Sequence, residues 1–377
     1  MTVPAHEGDH RAAALSLADV ALLAADRLPA DVRDFVDGGS GDESTQAANR
    51  AALDALRPVP RVLGGTGEAD TSATLLGSGA ALPLAVAPMA YQRLLHPEGE
   101  LGAARAARDA GVPYVISTLS SFPIEEITAV GGVCWFQLYW LRDRAVVLDL
   151  VRRAEAAGCE ALVVTVDVPH MGRRLRDVRN GFSLPDDVRA ANLAPAPDAG
   201  PAAAGRTAAH DRASGASAVA THTALAFDPA IGWDDLAWLR GQTALPLVVK
   251  GVLDPRDAAR AVGIGAAGVI VSNHGGRQFA AAPPSVTALA SVLDEVGGRC
   301  AVLLDSGVRG GTDILRALAL GADGALCGRP VLWGLAADGE AGVRHVLRLL
   351  HTELREALLL SGCPDLAAAR DLDVVRL

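Results

Sequence analysis

Apolar and polar positions alternate in blocks along most of the chain. Eight short runs are nearly continuous in apolar residues: Leu82–Ala90, Val112–Thr118, Val133–Tyr139, Ala161–Asp167, Leu245–Lys250, Gly268–His274, Ala301–Ser306 and Gly324–Arg329. Runs of this kind suit strands covered on both faces, as in a parallel sheet. Between them the spacing becomes helical, as in GELGAARAARDAG (99–111), VVLDLVRRAEAAG (146–158) and GTDILRALALGA (311–322), several ended by glycine, the usual C-cap residue. A further helix is predicted over Leu17–Arg27, ahead of Asp34–Gly39. Eight strands alternating with helices predict a TIM (β/α)8 barrel over about residues 82–350, behind an N-terminal helical arm and within one domain covering 1–377. A doubly wound open sheet is the alternative, but no GxGxxG follows the first strand.

The regularity breaks once, between the fourth and fifth strands. Residues 194–218 (APAPDAGPAAAGRTAAHDRASGASA) are rich in Ala, Pro and Gly and show no periodicity. A mobile lid over about 185–225 is expected there, at the end of the barrel where chemistry occurs.

Composition narrows the class. The formal net charge is −10 and no basic cluster tracks a phosphate backbone, which argues against nucleic acid as a partner. No basic-then-apolar leader opens the chain, and no run reaches the ~18 apolar residues of a membrane span, so a cytoplasmic protein is expected. The five cysteines lack pair spacing and read as free thiols, with no metal site. Lysine and arginine total 34, yet Lys250 is the one lysine. A chain that writes every other cation as arginine keeps a compact point charge at the end of a predicted strand.

Almost every predicted strand ends in polar residues: Met89–Gln92, Ser117–Thr118, Gln137 with Tyr139, Thr165 with Asp167, Lys250, Ser272–His274, Asp305–Ser306 and Gly328–Arg329. On a barrel these converge on one mouth. Asp305–Gly311 opens a helix and Gly328–Arg329–Pro330 follows the last strand. Glycines, a helix N-terminus, Arg309 and Arg329 together suit a phosphate. Ser272-Asn-His-Gly-Gly-Arg-Gln278 sets a histidine at a strand tip with an arginine three residues on. With Arg174 added, this offers two carboxylate anchors and a base of near-neutral pKa, as oxidation of a 2-hydroxy acid requires.

These motifs resemble one family. HPEGE (96–100), FQLYW (136–140), TVDVPHMGRR (165–174), VVKG (248–251), SNHGGRQ (272–278), GVRGGTD (307–313) and GRPV (328–331) resemble the FMN-dependent 2-hydroxy acid oxidases and dehydrogenases, over roughly residues 15–370. APMAYQRLLHPEGE and TVDVPHMGRRLRDVRNGF are most similar to the 4-hydroxymandelate oxidases among them. The resemblance implies that His274 is the base and that Arg174 and Arg277 hold the carboxylate. Tyr139 would hydrogen-bond the substrate, Asp167 would support that network, and Lys250 would face the N1–C2=O side of the flavin. Ser117, Gln137, Thr165 and Ser272 are the implied cofactor-binding side chains, with the Met89–Ala90 backbone near N5. Asp305, Ser306, Gly307, Arg309, Gly328 and Arg329 would surround the ribityl phosphate.

The chain departs from the family pattern at four places. Phe35 stands where many relatives have tyrosine, and Leu119 where glycolate oxidases have tryptophan; both changes enlarge or make more apolar the substrate pocket. Met89 replaces a common threonine and Ser306 a glycine. The expected reaction is therefore oxidation of an aryl (S)-2-hydroxy acid such as mandelate or 4-hydroxymandelate, with O2 as acceptor giving H2O2, in a homotetramer as the family suggests. Aliphatic acids such as lactate or glycolate, a Schiff-base aldolase or isomerase using Lys250, and an inactive binding module are the other readings.

Overall fold

A computed structural model describes residues 14–65, 67–193 and 215–377. All eight predicted strands are present: β1 (Leu84–Val86), β2 (Tyr114–Ser117), β3 (Cys134–Tyr139), β4 (Ala161–Thr165), β5 (Leu247–Val252), β6 (Gly268–Val271), β7 (Ala301–Leu304) and β8 (Gly324–Cys327). They close a parallel barrel in chain order, with β8 pairing back onto β1. Most are shorter than the apolar runs because the polar residues ending each run continue past the ladder into loops. Register aligns those ends: Ser117 lies beside Gln137, and Tyr139, Thr165 and Lys250 form a row across β3, β4 and β5.

Alternate strand residues face opposite ways. Val115, Trp135, Val163, Val248, Ile270 and Leu303 form an interior cluster, whereas Ile116, Phe136, Leu162, Val164 and Val249 pack with the surrounding helices. Both sets are buried, which explains the absence of polar alternation in the sequence; each such aliphatic side chain contributes roughly 1.5–3 kcal/mol relative to exposure. A hairpin of Ala73–Leu75 and Ser78–Ala80 plugs the N-terminal end, with Leu75 and Ala80 in the interior cluster. Gly324 is needed there, since a Cβ would lie 2.9 Å from Leu75 Cδ2 and 2.8 Å from the Pro83 carbonyl. The open end is the one where the polar strand ends gather.

The N-terminal arm covers that end. Helix α1 (Leu17–Arg27) starts at a capping box of Ser16 and Asp19. Helix α2 (Ala30–Asp37) carries the buried Phe35 and Val36, and Leu56–Pro58 pairs antiparallel with Val374–Arg376, tying the arm to the C-terminus. Helix α3 (Gly99–Asp109) follows β1. The helix after β8 runs Arg329–Leu360, past the predicted barrel limit, with a break at Asp338–Gly339.

The segment expected to be a lid is anchored at both described ends. Asn192 is buried; it accepts from the Ile124 N–H and donates to the Ser117 carbonyl and Ser120 Oγ. Helix α4 (Ala218–Ala226) packs Ala218 and Val219 inward. Residues 194–214 lie outside the described residues. The five cysteines are free, and no helix among the described residues is long and apolar enough to cross a membrane.

Candidate active site

His274 follows β6 in a one-turn 3-10 helix, with its backbone in the left-handed region (φ 57), as are Gly275 (φ 64) and Gly276 (φ 77). Such a run costs free energy for a non-glycine residue and is held by specific bonds. The His274 N–H donates to Ser272 Oγ (3.0 Å), Gly275 N–H to Ser306 Oγ (2.9 Å) and Gly276 N–H to Asn273 Oδ1 (3.1 Å). Gly276 is required, because a Cβ there would lie 2.7 Å from the Gln46 nitrogen. Ser306 itself has φ 83, a conformation suited to glycine; its hydroxyl compensates by accepting the Asn273 and Gly275 N–H groups. The turn aims the imidazole so that Nδ1 meets Asp167 Oδ1 at 3.0 Å. With a carboxylate as partner, Nδ1 carries the proton and Nε2 presents a lone pair. Burial pushes the His274 pKa below its ordinary value, with Asp167 pulling the other way.

Phe35 is the platform for two guanidiniums. Its ring stacks on Phe182 (centroids 4.5 Å apart, 9° between planes), and Arg277 and Arg174 lie 5.5 and 6.0 Å from its centroid. Arg277 also donates to the Gly38 carbonyl (2.6 Å). Arg174 is largely shielded from solvent and lies 4.0 Å from Asp177; its Nε has no partner among the described residues, and burial with the nearby Arg277 charge lowers its pKa to about 9. Tyr139 stacks on Phe227 (4.6 Å), and burial followed by the Asp167 charge raises its phenol to about 12, so the hydroxyl stays protonated.

Lys250 is buried and reaches Asp305 Oδ2 at 3.0 Å and Ser272 Oγ at 3.1 Å. Burial opposes its charge, but Asp305 and Asp167 hold its pKa above the ordinary lysine value. Ser272 also donates to Asp305 (2.6 Å). The Asp305 carboxylate is thus engaged with Lys250, and its charge is of the wrong sign for the phosphate that the sequence reading assigned to it. At the helix N-terminus of that reading, the Arg309 N–H bonds Asp313 and the Gly311 N–H bonds Glu353. Arg329 donates to the Val36, Gly38 and Gly275 carbonyls and to Gln46, which locks the arm onto the barrel. Arg309 lies 4.9 Å over Trp333, whose indole N–H bonds Asp37.

One cleft, about 1130 Å³ with the solvent at its mouth included, gathers most of the expected residues: Phe35, Met89, Ala90, Ser117, Leu119, Tyr139, Arg174, Lys250, His274, Arg277, Asp305, Ser306, Gly307, Arg309, Gly328 and Arg329. Gln137, Thr165, Asp167 and Ser272 are not among its lining residues, and Asp167 and Ser272 line a neighbouring cleft. A basic recess of about 540 Å³ shares Gly275, Gly307, Arg309 and Arg329 with it and adds Arg50. Sequence reasoning did not anticipate Met171, Val219, Thr223 and Phe227, which form an apolar side of the cleft. Three of these lie on or just after α4, beyond the low-complexity stretch, where no periodicity marks them.

A barrel mouth with a histidine–carboxylate pair, convergent guanidiniums and a basic recess defines an enzyme acting on a small anion beside a phosphorylated group. Residues 24–376 match the family described as FMN-dependent dehydrogenase, and the chain belongs to that family. It is 56% identical over 359 residues to 4-hydroxymandelate oxidase of Amycolatopsis orientalis, covering 95% of this chain and 98% of that one. It is 45% identical over 364 residues to L-lactate oxidase of a Nostoc species, covering 95% and 96%. The solved structure of mandelate oxidase with (S)-4-hydroxymandelic acid matches with a TM-score of 0.90 at 55% identity, covering 96% of this chain and 99% of that one. The activity is FMN-dependent oxidation of a 2-hydroxy acid.

The residues present fit FMN. Gln137 Nε2 and Thr165 Oγ1 are buried at the strand ends without partners among the described residues, and a ring edge carrying both acceptors and an N–H satisfies both kinds of group. The basic recess suits the phosphate. The reading of Lys250 as a Schiff-base nucleophile is set aside: family membership argues against it, and its ammonium is held charged by Asp305.

Proposed function

We propose that the substrate is an aryl (S)-2-hydroxy acid, mandelate or 4-hydroxymandelate, that O2 is the electron acceptor and that H2O2 is released. The observation that carries the substrate class is the apolar wall of Leu119, Met171, Val219 and Phe227, which the Phe35 ring extends up to the Arg174 and Arg277 guanidiniums. An aromatic ring gains by leaving water there, while glycolate offers nothing to that surface. The 4-hydroxymandelate and mandelate oxidase relatives support the same reading.

In this proposal Arg174 and Arg277 hold the substrate carboxylate by charge-assisted bonds, both steadied by the Phe35 ring. The Tyr139 hydroxyl bonds the substrate oxygen. His274 Nε2 takes the proton, and Asp167 stabilises the imidazolium that forms. Bound FMN supplies the two-electron acceptor. Lys250 would hold positive charge beside the ring, Gln137, Thr165 and Ser117 would bond it, and the Met89–Ala90 backbone would approach it. Ser272 and Asp305 fix the Lys250 ammonium. Arg309 and Arg329 supply charge for the phosphate, beside Gly307, Gly328 and the Ser306 turn. The family resemblance further supports a homotetramer, and the five free cysteines suit a reducing cytoplasm.

Anaerobic mixing of the FMN-loaded protein with (S)-mandelate, (S)-4-hydroxymandelate, lactate and glycolate tests the reading. Fast bleaching of the visible absorbance by the aryl acids is expected. Bleaching by the small acids alone overturns the substrate class, and reoxidation by a quinone but not by O2 overturns the acceptor.

A further inference from the structure

The motif His96-Pro-Glu-Gly-Glu100 takes no part in the chemistry above, yet its last residue is a completely buried carboxyl. Glu100 lies in the first turn of α3, where the positive end of the helix dipole favours an acceptor. Its Oε1 accepts three hydrogen bonds: from the Gln92 N–H (3.0 Å), the Ser121 N–H (2.8 Å) and the Ser121 hydroxyl (3.2 Å). Its Oε2 has no partner among the described residues.

Gln92 and Ser121 belong to different strand-end loops, those after β1 and β2. Gln92 passes the restraint on, donating to the Met89 carbonyl (3.3 Å) and the Tyr114 hydroxyl (2.8 Å). Between the two loops the Tyr91 N–H bonds the Leu119 carbonyl (3.1 Å). Tyr91 is itself left-handed (φ 57), a conformation that persists only where neighbours over-determine it. One carboxyl oxygen therefore joins the loop carrying Met89 and Ala90 to the loop carrying Leu119. The rest of the motif points elsewhere: Glu98 accepts the Glu340 N–H just past the break in the long C-terminal helix.

We propose that Glu100 is a positioning residue for the oxidation, fixing the distance between the Met89–Ala90 backbone and Leu119 and thus the room for the substrate. The roles of those two segments rest on the function proposed above. The clamp needs an acceptor at the position of Oε1, because all three of its bonds end there and none ends on Oε2. Gln retains the acceptor and places an amide where Oε2 has no donor to lose. Asp retains the carboxyl group but falls short by one methylene.

The experiment compares FMN-loaded wild type, Glu100→Gln, Glu100→Asp and Glu100→Ala. Anaerobic flavin bleaching at saturating (S)-mandelate, the FMN dissociation constant and the thermal midpoint are measured for each. Glu100→Gln is expected within about threefold of wild type in bleaching rate, and Glu100→Asp and Glu100→Ala at least about tenfold slower, with FMN bound at least about fivefold more weakly. Lower midpoints for Asp and Ala with wild-type bleaching rates overturn the proposal, because Glu100 then only supports the fold. Gln as slow as Ala overturns it too, because charge is then what matters. If Ala does not yield folded protein, the Asp and Gln pair decides alone. A wild type bleached by lactate but not by mandelate sinks the aryl reading only, and the same series run with lactate still judges Glu100.

Discussion

His274 Nδ1 and Asp167 Oδ1 meet at 3.0 Å, joining the turn after β6 to the loop after β4 through a bond made inside the protein. Two consequences follow for pH. The imidazole must be neutral to accept a proton, so kcat/KM rises with pH through the His274 pKa, which burial has already lowered. Asp167 raises that pKa, so replacing it by Asn removes the upward contribution and moves the acid limb to lower pH. The same change leaves the imidazolium unsupported and should lower kcat about 100-fold, with His274→Ala losing about 10²–10⁴. Rates of anaerobic bleaching against pH check both; an acid limb moving upward in Asp167→Asn contradicts the pairing.

The Lys250–Asp305 pair makes a stability prediction. Burial works against the Asp305 charge, and Lys250 with Ser272 overrides it, keeping the carboxyl below its usual pKa. Lys250→Met strands that carboxylate without a cation, at a cost of about 3–5 kcal/mol at neutral pH. In the wild type this contribution is present above the unfolded carboxyl pKa and fades on acidification. In the variant the carboxyl pKa rises, so folding there weakens as pH rises. The gap in thermal midpoint between the two should therefore narrow toward about pH 4. An unchanged gap across that range means Asp305 is not the stranded group.

The barrel was legible because its eight strands are buried on both faces and announce themselves as apolar runs. Lys250 and His274 were legible because each ends such a run with a residue the run does not need. What stayed hidden is held by contacts that leave no mark in the sequence. Arg329 is legible as a cation from its setting in Gly-Arg-Pro, but its bonds to the Val36 and Gly38 carbonyls are not, because a carbonyl acceptor can belong to any residue. Val219, Thr223 and Phe227 follow a stretch without periodicity, so their common side of α4 could not be inferred. Phe35 was noticed as a missing hydroxyl; its use as a surface for two guanidiniums depends on partners far along the chain.

That use of Phe35 can be tested separately. Phe35→Ala removes the ring between Phe182 and the arginines, leaving a cavity in a buried site. A loss of about 3–5 kcal/mol is expected from the packing alone. Arg174 and Arg277 also lose the face that steadies them, so KM for the hydroxy acid should rise about tenfold, with a smaller change in kcat. Thermal melting and steady-state kinetics measure the two effects independently. A stability loss without any change in KM means the ring only packs.

Leu119 is where the substrate proposal is most exposed. The residue is 4% exposed, lines the cleft, and hangs on a loop tied to Tyr91 and Glu100, so it has little freedom to retreat. Leu119→Trp adds an indole to a wall that cannot yield, and overpacking of this kind costs about 1–3 kcal/mol wherever a second ring must also fit. Lactate and glycolate need none of that space. The ratio of kcat/KM for (S)-mandelate to that for lactate should fall about 10–100-fold in the variant, mostly through loss of mandelate turnover. If both acids lose activity equally, the indole has disturbed the loop and not the pocket. If the ratio holds with full activity, the aryl group lies against the α4 side, and Val219 and Phe227 become the residues to change.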